Sequence, residues 1–178
     1  MKATIIFDLE ATCEDRNITP RFDNEIIEIG AVKVIDGAVV DEFQTFVRPQ
    51  RTSVLTTFCK ELTSISQGDV DVAPTFPEAL NAFRQWASKD VSEYVLASWG
   101  FYDRKQIEKD ARHHGVSWSE LRTHRSLKHE YQDIRRLKRP IGMKGALQKE
   151  GIPLDGTHHR GIDDARNIAK IYIAAFDS

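Results

Sequence analysis

Two apolar-rich runs, Ile26–Ile35 and Ala38–Val47, are separated by nothing but Asp36-Gly37. Asp-Gly between such runs favours a type I′ turn, in which both central residues need positive φ. The chain is therefore committed to an antiparallel hairpin, and an all-helical fold is excluded. A preceding strand is predicted at Ala3–Glu10, where Ile5-Ile6-Phe7 is an unbroken apolar run, and a later one at Tyr94–Trp99. Pro49–Ala73 reads as loop with short helical pieces. Thr75-Phe76-Pro77-Glu78 has the form of a capping box. It opens a helix to about Ser88, with Leu80, Phe83 and Ala87 beside Ala79, Ala82 and Trp86 on its apolar side. Further helices are predicted near Arg104–His114, Leu127–Leu137, Met143–Glu150 and Ile162–Phe176. Three strands, then alternating helix and strand, imply an α/β fold with a mixed central β-sheet flanked by helices. A chain of 178 residues can bury a real core, so a single domain over 1–178 is expected.

The first strand ends in Asp8-Leu9-Glu10. Residues two apart on a strand point the same way, so Asp8 and Glu10 share one face. An acid-x-acid triplet is usually a solvated edge. Here the apolar flanks favour a central strand, where paired carboxylates repel unless a cation lies between them. No Lys or Arg occurs between Glu10 and Arg16. A hard divalent ion is the natural partner, and Mg²⁺ takes oxygen ligands while leaving positions open for phosphate.

Two more acids complete the pattern. At 100° per residue, Asp163, Asn167, Lys170 and Ala174 fall on one side of the last predicted helix and should face water. Asp164, Ile168, Ile171 and Ala175 fall on the buried side. Asp164 is therefore the inward acid, with His159 in the loop before it. An acid in a first helical turn can also simply complement the helix dipole. Asp103 follows the apolar run Tyr94–Trp99 and Gly100. It reads either as an N-cap or as a ligand group at a strand end opening into a helix.

The set Asp8-x-Glu10, Asp103 and His159-x₄-Asp164 resembles the DEDDh 3′→5′ exonucleases. The wider wording is similar to the histone-mRNA and RNAi-enhancing exonuclease branch: Phe7-Asp8-Leu9-Glu10-Ala11-Thr12-Cys13, Asn24-Glu25-Ile26-Ile27-Glu28-Ile29-Gly30-Ala31, Phe58-Cys59-x-x-Leu62-Thr63, and Gly161-Ile162-Asp163-Asp164-Ala165. The resemblance implies an RNase H-like fold and 3′→5′ exonuclease chemistry with two Mg²⁺ ions, Mn²⁺ being a substitute. Nucleoside 5′-monophosphates would leave from the 3′ ends of single-stranded RNA or DNA. It assigns Asp8, Glu10, Asp103 and Asp164 to metal and His159 to general base, in preference to His158. It also implies that Ala11 and Thr12 contact the terminal ribose through their amides. Phe58, Leu62 and Ile65 are candidates to wedge against the last bases; ordinary core packing is their other reading. Some members carry an extra RNA-binding segment before the nuclease, and no targeting of that kind is expected of a chain opening on its first strand. A catalytically silent binding module and a protein-interaction regulator are the competing functional classes, and the complete motif set argues against both.

The formal net charge of −2 gives no global attraction to nucleic acid. Yet Arg122, Arg125, Lys128, Arg135, Arg136, Lys138, Arg139, Lys144 and Lys149 lie together against only Glu130 and Asp133. That run is either a solvated face or a phosphate-tracking surface. His113, His114, His124 and His129 are expected at the surface. Cys13 and Cys59, without metal spacing, suggest reduced thiols and a cytoplasmic location. No signal-peptide pattern or membrane-length apolar run is present, so no membrane partner is expected.

Overall fold

The computed structural model describes residues 1–19 and 21–176. The elements run β1 (Lys2–Ala11), β2 (Ile26–Ile35), β3 (Ala38–Phe46), α1 (Thr57–Thr63), α2 (Gln67–Asp71), α3 (Phe76–Ser88), β4 (Glu93–Ser98), α4 (Tyr102–His113), a 3₁₀ turn (Ser119–Thr123), β5 (Arg125–Ser126), α5 (Leu127–Ile134), α6 (Met143–Glu150) and α7 (Gly161–Phe176). The five strands order as β3-β2-β1-β4-β5. β1 pairs antiparallel with β2 and parallel with β4, so the sheet is mixed and β1 is central. The hairpin forms at Asp36-Gly37, both with positive φ as the turn type demands.

Alternation along β1 sorts the two layers. Ile5, Phe7 and Leu9 point into a core with Leu80, Phe83 and Ile107 of α3 and α4. Ile6 points into the opposite core with Val32, Val34, Leu147, Ile168 and Ile171, beneath α6 and α7. Asp8 and Glu10 share the phase of Ile6, so the start of α7 lies over them. Two glycines permit that approach. A Cβ on Gly30 would sit 2.1 Å from the Ile162 amide nitrogen, and one on Gly161 would sit 3.0 Å from the Asp8 carbonyl oxygen. The helix backbone thus rests directly on the sheet backbone.

Several expectations need correction. The capping box is present, with Glu78 accepting from the Thr75 amide at 2.8 Å, but Ala82 is exposed. The helix at 102 starts two residues before the expected Arg104, so Asp103 lies in its first turn and is not its N-cap. The predicted Leu127–Leu137 helix stops at Ile134, and Arg136 has φ 50°. The 3₁₀ turn and two-residue β5 carry too little periodicity to be read in advance. Asn167, expected to face water, is fully buried and bonds the backbone of Asp155 at both ends. His124 is buried too, edge-on to Phe7 and bonded through Nε2 to Ser98 Oγ at 2.9 Å.

Candidate active site

Asp8, Glu10 and Asp164 each bring a carboxylate oxygen to within 4.8 Å of the others. Glu10 and Asp164 are only 8% and 5% exposed, while Asp8 is half-buried. β1 supplies the first two acids by its period of two, and α7 supplies the third from its first turn. Asp103 enters from α4. Its Oδ1 accepts from the Leu9 amide at 3.2 Å. The parallel ladder with β4 ends at the Ile6–Ala97 pair, so Asp103 takes an amide beyond that ladder's end. These acids line a cleft of about 370 Å³ with Tyr102, Met143, His158 and His159.

The acids disturb one another strongly. Burial, then repulsion from Asp103 and Glu10, pushes the Asp8 carboxyl well above its ordinary range. Burial, then Asp164 and Glu28, pushes Glu10 up to about 9. Burial also takes Asp103 to about 6, although hydrogen bonds from Ser98 and the Leu9 amide oppose the rise. Among the ion pairs of the described residues, Lys and Arg side chains neutralise Glu25, Glu28 and Asp110, but not Asp8, Glu10 or Asp103. Such a cluster is costly as anions and suits a divalent cation with oxygen ligands.

The histidine loop is unusual in its backbone. His159 has φ 66°, a conformation seldom adopted by a residue with a Cβ. Its amide donates to Asp164 Oδ2 at 3.1 Å, and His158 Nδ1 lies 3.0 Å from Asp164 Oδ1. The ring of His159 reaches both the acidic cleft and a larger adjoining hollow of about 750 Å³. Burial and the neighbouring His158 lower the pKa of His159.

The candidate substrate contacts separate. Phe58 and Leu62 sit on α1, partly exposed, and line the adjoining hollow with Cys13, Arg16 and Phe22. Ile65 is not available to a base. It is 1% exposed and belongs to a small core with Ile27, Leu55, Cys59 and Val70. Ala11 and Thr12 are also buried, and the Thr12 amide already donates to the Glu25 carbonyl at 2.7 Å. Asp163, the acid expected to be solvated, is half-buried; it accepts from the Thr157 amide at 2.9 Å and pairs with Arg166.

Sequence reasoning gave no role to Glu28, the residue that seats α7. It is fully buried, accepts from the Gly161 amide at 2.9 Å, and pairs with Arg160 at 3.1 Å. It therefore occupies the helix N-terminus as a capping carboxylate, where the dipole favours negative charge. The signal was present as an acid in the middle of the apolar β2 run. Ser98, part of the family-like wording Ser98-Trp99-Gly100, was likewise given no role of its own. Its hydroxyl bonds His124 Nε2 at 2.9 Å and lies 2.8 Å from the Gly100 carbonyl, at the turn that leads into α4 and Asp103.

A mixed sheet whose central strand carries paired acids, with a helix delivering a third, defines an RNase H-like nuclease class. Comparison with known proteins agrees. The profile of the Exonuclease family of RNase T type matches residues 5–172. Human 3′-5′ exoribonuclease 1 is 32% identical over 177 residues, covering 94% of this chain and 50% of that protein. The probable 3′-5′ exonuclease KapD of Bacillus subtilis is 30% identical, covering 94% of this chain and 82% of that one. ERI1 exoribonuclease 2 of Xenopus laevis is 33% identical, and the chain spans only 27% of its length. Among solved structures, the nuclease domain of 3′hExo, a DEDDh family member bound to rAMP, superposes with a TM-score of 0.91 at 32% identity. That match covers 96% of this chain and 90% of the other. The chain belongs to the DEDDh 3′→5′ exonuclease family, on the side of the ERI1 and 3′hExo enzymes.

Proposed function

We propose that residues 1–178 form a single exonuclease domain that removes nucleoside 5′-monophosphates from 3′ ends of single-stranded RNA or DNA, in a metal-dependent reaction. The observation that carries this reading is the group of buried Glu10 and Asp164 with half-buried Asp8, which has no Lys or Arg ion-pair partner among the described residues and stands beside an imidazole and an open cleft. Asp8, Glu10 and Asp164 would hold the ions, with Asp103 beside them in the same cleft. Two Mg²⁺ ions, or Mn²⁺ in their place, would supply an acidified water and charge stabilisation at the leaving 3′ oxygen.

The protein's own groups do the rest. His159 is the general base. Its pKa is lowered, so the ring is neutral at physiological pH and free to take the proton of the attacking water. His158 is less suited, because its Nδ1 is engaged by Asp164. Phe58 and Leu62 offer an apolar ledge for the terminal base, a contact that tolerates any sequence. Related solved structures comprise 3′hExo bound to rAMP and a 3′-exonuclease recognising the 3′ end of a histone mRNA stem-loop, which favours RNA for this chain. No helix among the described residues is long and apolar enough to cross a membrane. The two free cysteines fit a reducing compartment such as the cytoplasm.

The test is degradation of matched single- and double-stranded RNA and DNA oligonucleotides, with products identified by mass. Stepwise release of 5′-monophosphates from the 3′ end, abolished by EDTA, is expected. Binding without cleavage under saturating Mg²⁺ or Mn²⁺ would identify a silent binding module instead.

A further inference from the structure

The carboxylate group is not the only metal-competent cluster in the cleft. His158, His159 and Asp164 also bring one ligand atom each to within 4.8 Å of one another. Two of these donors are imidazoles, and that changes which ions the cluster prefers. Oxygen-only sites suit Mg²⁺ and Mn²⁺; imidazole suits Zn²⁺ and its neighbours, which also bind a given donor set more tightly along the first-row series.

The geometry of this pair is built, not incidental. Adjacent residues in extended chain point to opposite sides. Here the left-handed φ of 66° at His159 turns both rings to the same side. Their centroids are 3.9 Å apart and their planes 34° from parallel. Strain of this kind persists only where the surroundings impose it. Asp164 is the imposing group: its Oδ2 accepts from the His159 amide at 3.1 Å while its Oδ1 lies 3.0 Å from His158 Nδ1. Four-coordinate zinc with bonds of about 2.0–2.2 Å requires donor–donor edges of roughly 3.3 Å. The His158–Asp164 edge is already close to that length.

We propose that His158, His159 and Asp164 form a site for a borderline transition-metal ion, Zn²⁺ foremost, and that filling it switches the exonuclease centre off. Occupation takes the lone pair that His159 needs to accept a proton, and it withdraws Asp164 from the oxygen-ligand group. The inhibitory half of the proposal rests on His159 being the general base; the binding half does not.

The test uses the whole chain and Zn²⁺ alone as probe, with millimolar Mg²⁺ present throughout. Calorimetry should give one Zn²⁺ per chain, weakened roughly tenfold or more by His158→Ala, on the scale of a lost contact at a metal site. Nitrogen-15 spectra of the wild-type histidines should show the ring signals of His158 and His159 moving together on titration, while those of His113 and His129 stay in place. In rate assays, micromolar Zn²⁺ should inhibit the Mg²⁺ reaction. His158→Ala should resist that inhibition when each protein is normalised to its own zinc-free rate. Unmoved His158 and His159 signals overturn the proposal even if the variant fails to fold. So does zinc affinity unchanged in a folded His158→Ala protein. A chain that binds zinc at these rings but cleaves no substrate would refute the exonuclease reading while leaving the site standing.

Discussion

Glu10 holds its proton in the metal-free fold far beyond the pH at which the unfolded chain loses it. Its ordinary value is 4.5, and burial with Asp164 and Glu28 nearby raises it to about 9. The folded state therefore binds more protons over that interval. The stabilising contribution is complete below about 4.5 and is lost as pH rises through about 9. Thermal melts in EDTA should show stability falling across this window, and Glu10→Gln should flatten the decline. Divalent metal should also flatten it, because an ion that binds only the fold replaces the proton. An equally steep decline in the Gln variant would remove Glu10 as its source. The paired acids on α7 separate by what they touch. Asp164→Asn should abolish turnover. Asp163→Asn should leave it nearly intact and cost about 1 kcal/mol through the Thr157 and Arg166 contacts. His159→Ala should lower kcat by about 10²–10⁴-fold, the usual worth of a positioned base.

At the scale of elements, the site depends on how α7 is seated on β1 and β2. Glu28 ties the Gly161 amide and Arg160 to the middle of β2, and Gly30 lets the helix backbone touch the strand. Glu28→Ala leaves Arg160 and the helix N-terminus without their acceptor. A destabilisation of about 2–4 kcal/mol is expected in chemical denaturation, below the upper range for a buried pair because Arg160 is a quarter exposed. Gly30→Ala should be worse, since no side-chain movement relieves a contact of 2.1 Å with backbone. Gly100→Ala is the control: a Cβ there meets nothing within 4 Å. Equal melting points for the two alanine variants would show that α7 is not held by close approach.

Across the molecule, charge is arranged rather than merely summed. Arg125 and Arg135 are spent on Glu130 and Glu150. No ion pair of the described residues uses Lys138, Arg139, Lys144 or Lys149, and these four lie at or after the end of α5 and along α6. Replacing them together by Gln should weaken substrate binding and lower its salt dependence by about one unit of slope per lost phosphate contact. Replacing Arg135 should act instead on stability, through Glu150. An unchanged KM and salt slope in the fourfold variant would return this surface to simple solvation.

Local sequence pattern was enough for the hairpin at Asp36-Gly37, the capping box at Thr75–Glu78, the α6 boundaries and the inward phase of Asp164. Each follows from turn chemistry or from a period of 2 or 3.6, which are properties of short segments. The shared face of Asp8 and Glu10 was legible for the same reason. Their meeting with Asp164 was not a local property; it follows from Gly30 and Gly161 allowing two backbones to touch. Burial of Asn167 and His124 escaped because polar residues are usually exposed. Each is inside only because the fold brings it a partner, Asp155 for one and Ser98 for the other. Ile65 read equally as a base contact or as core, and it is core, packed with Ile27 and Val70. The sequence by itself determined the hairpin, the shared face of Asp8 and Glu10 and the inward phase of Asp164, and the tertiary structure alone decided what those groups met, because partners distant along the chain leave no trace in local spacing.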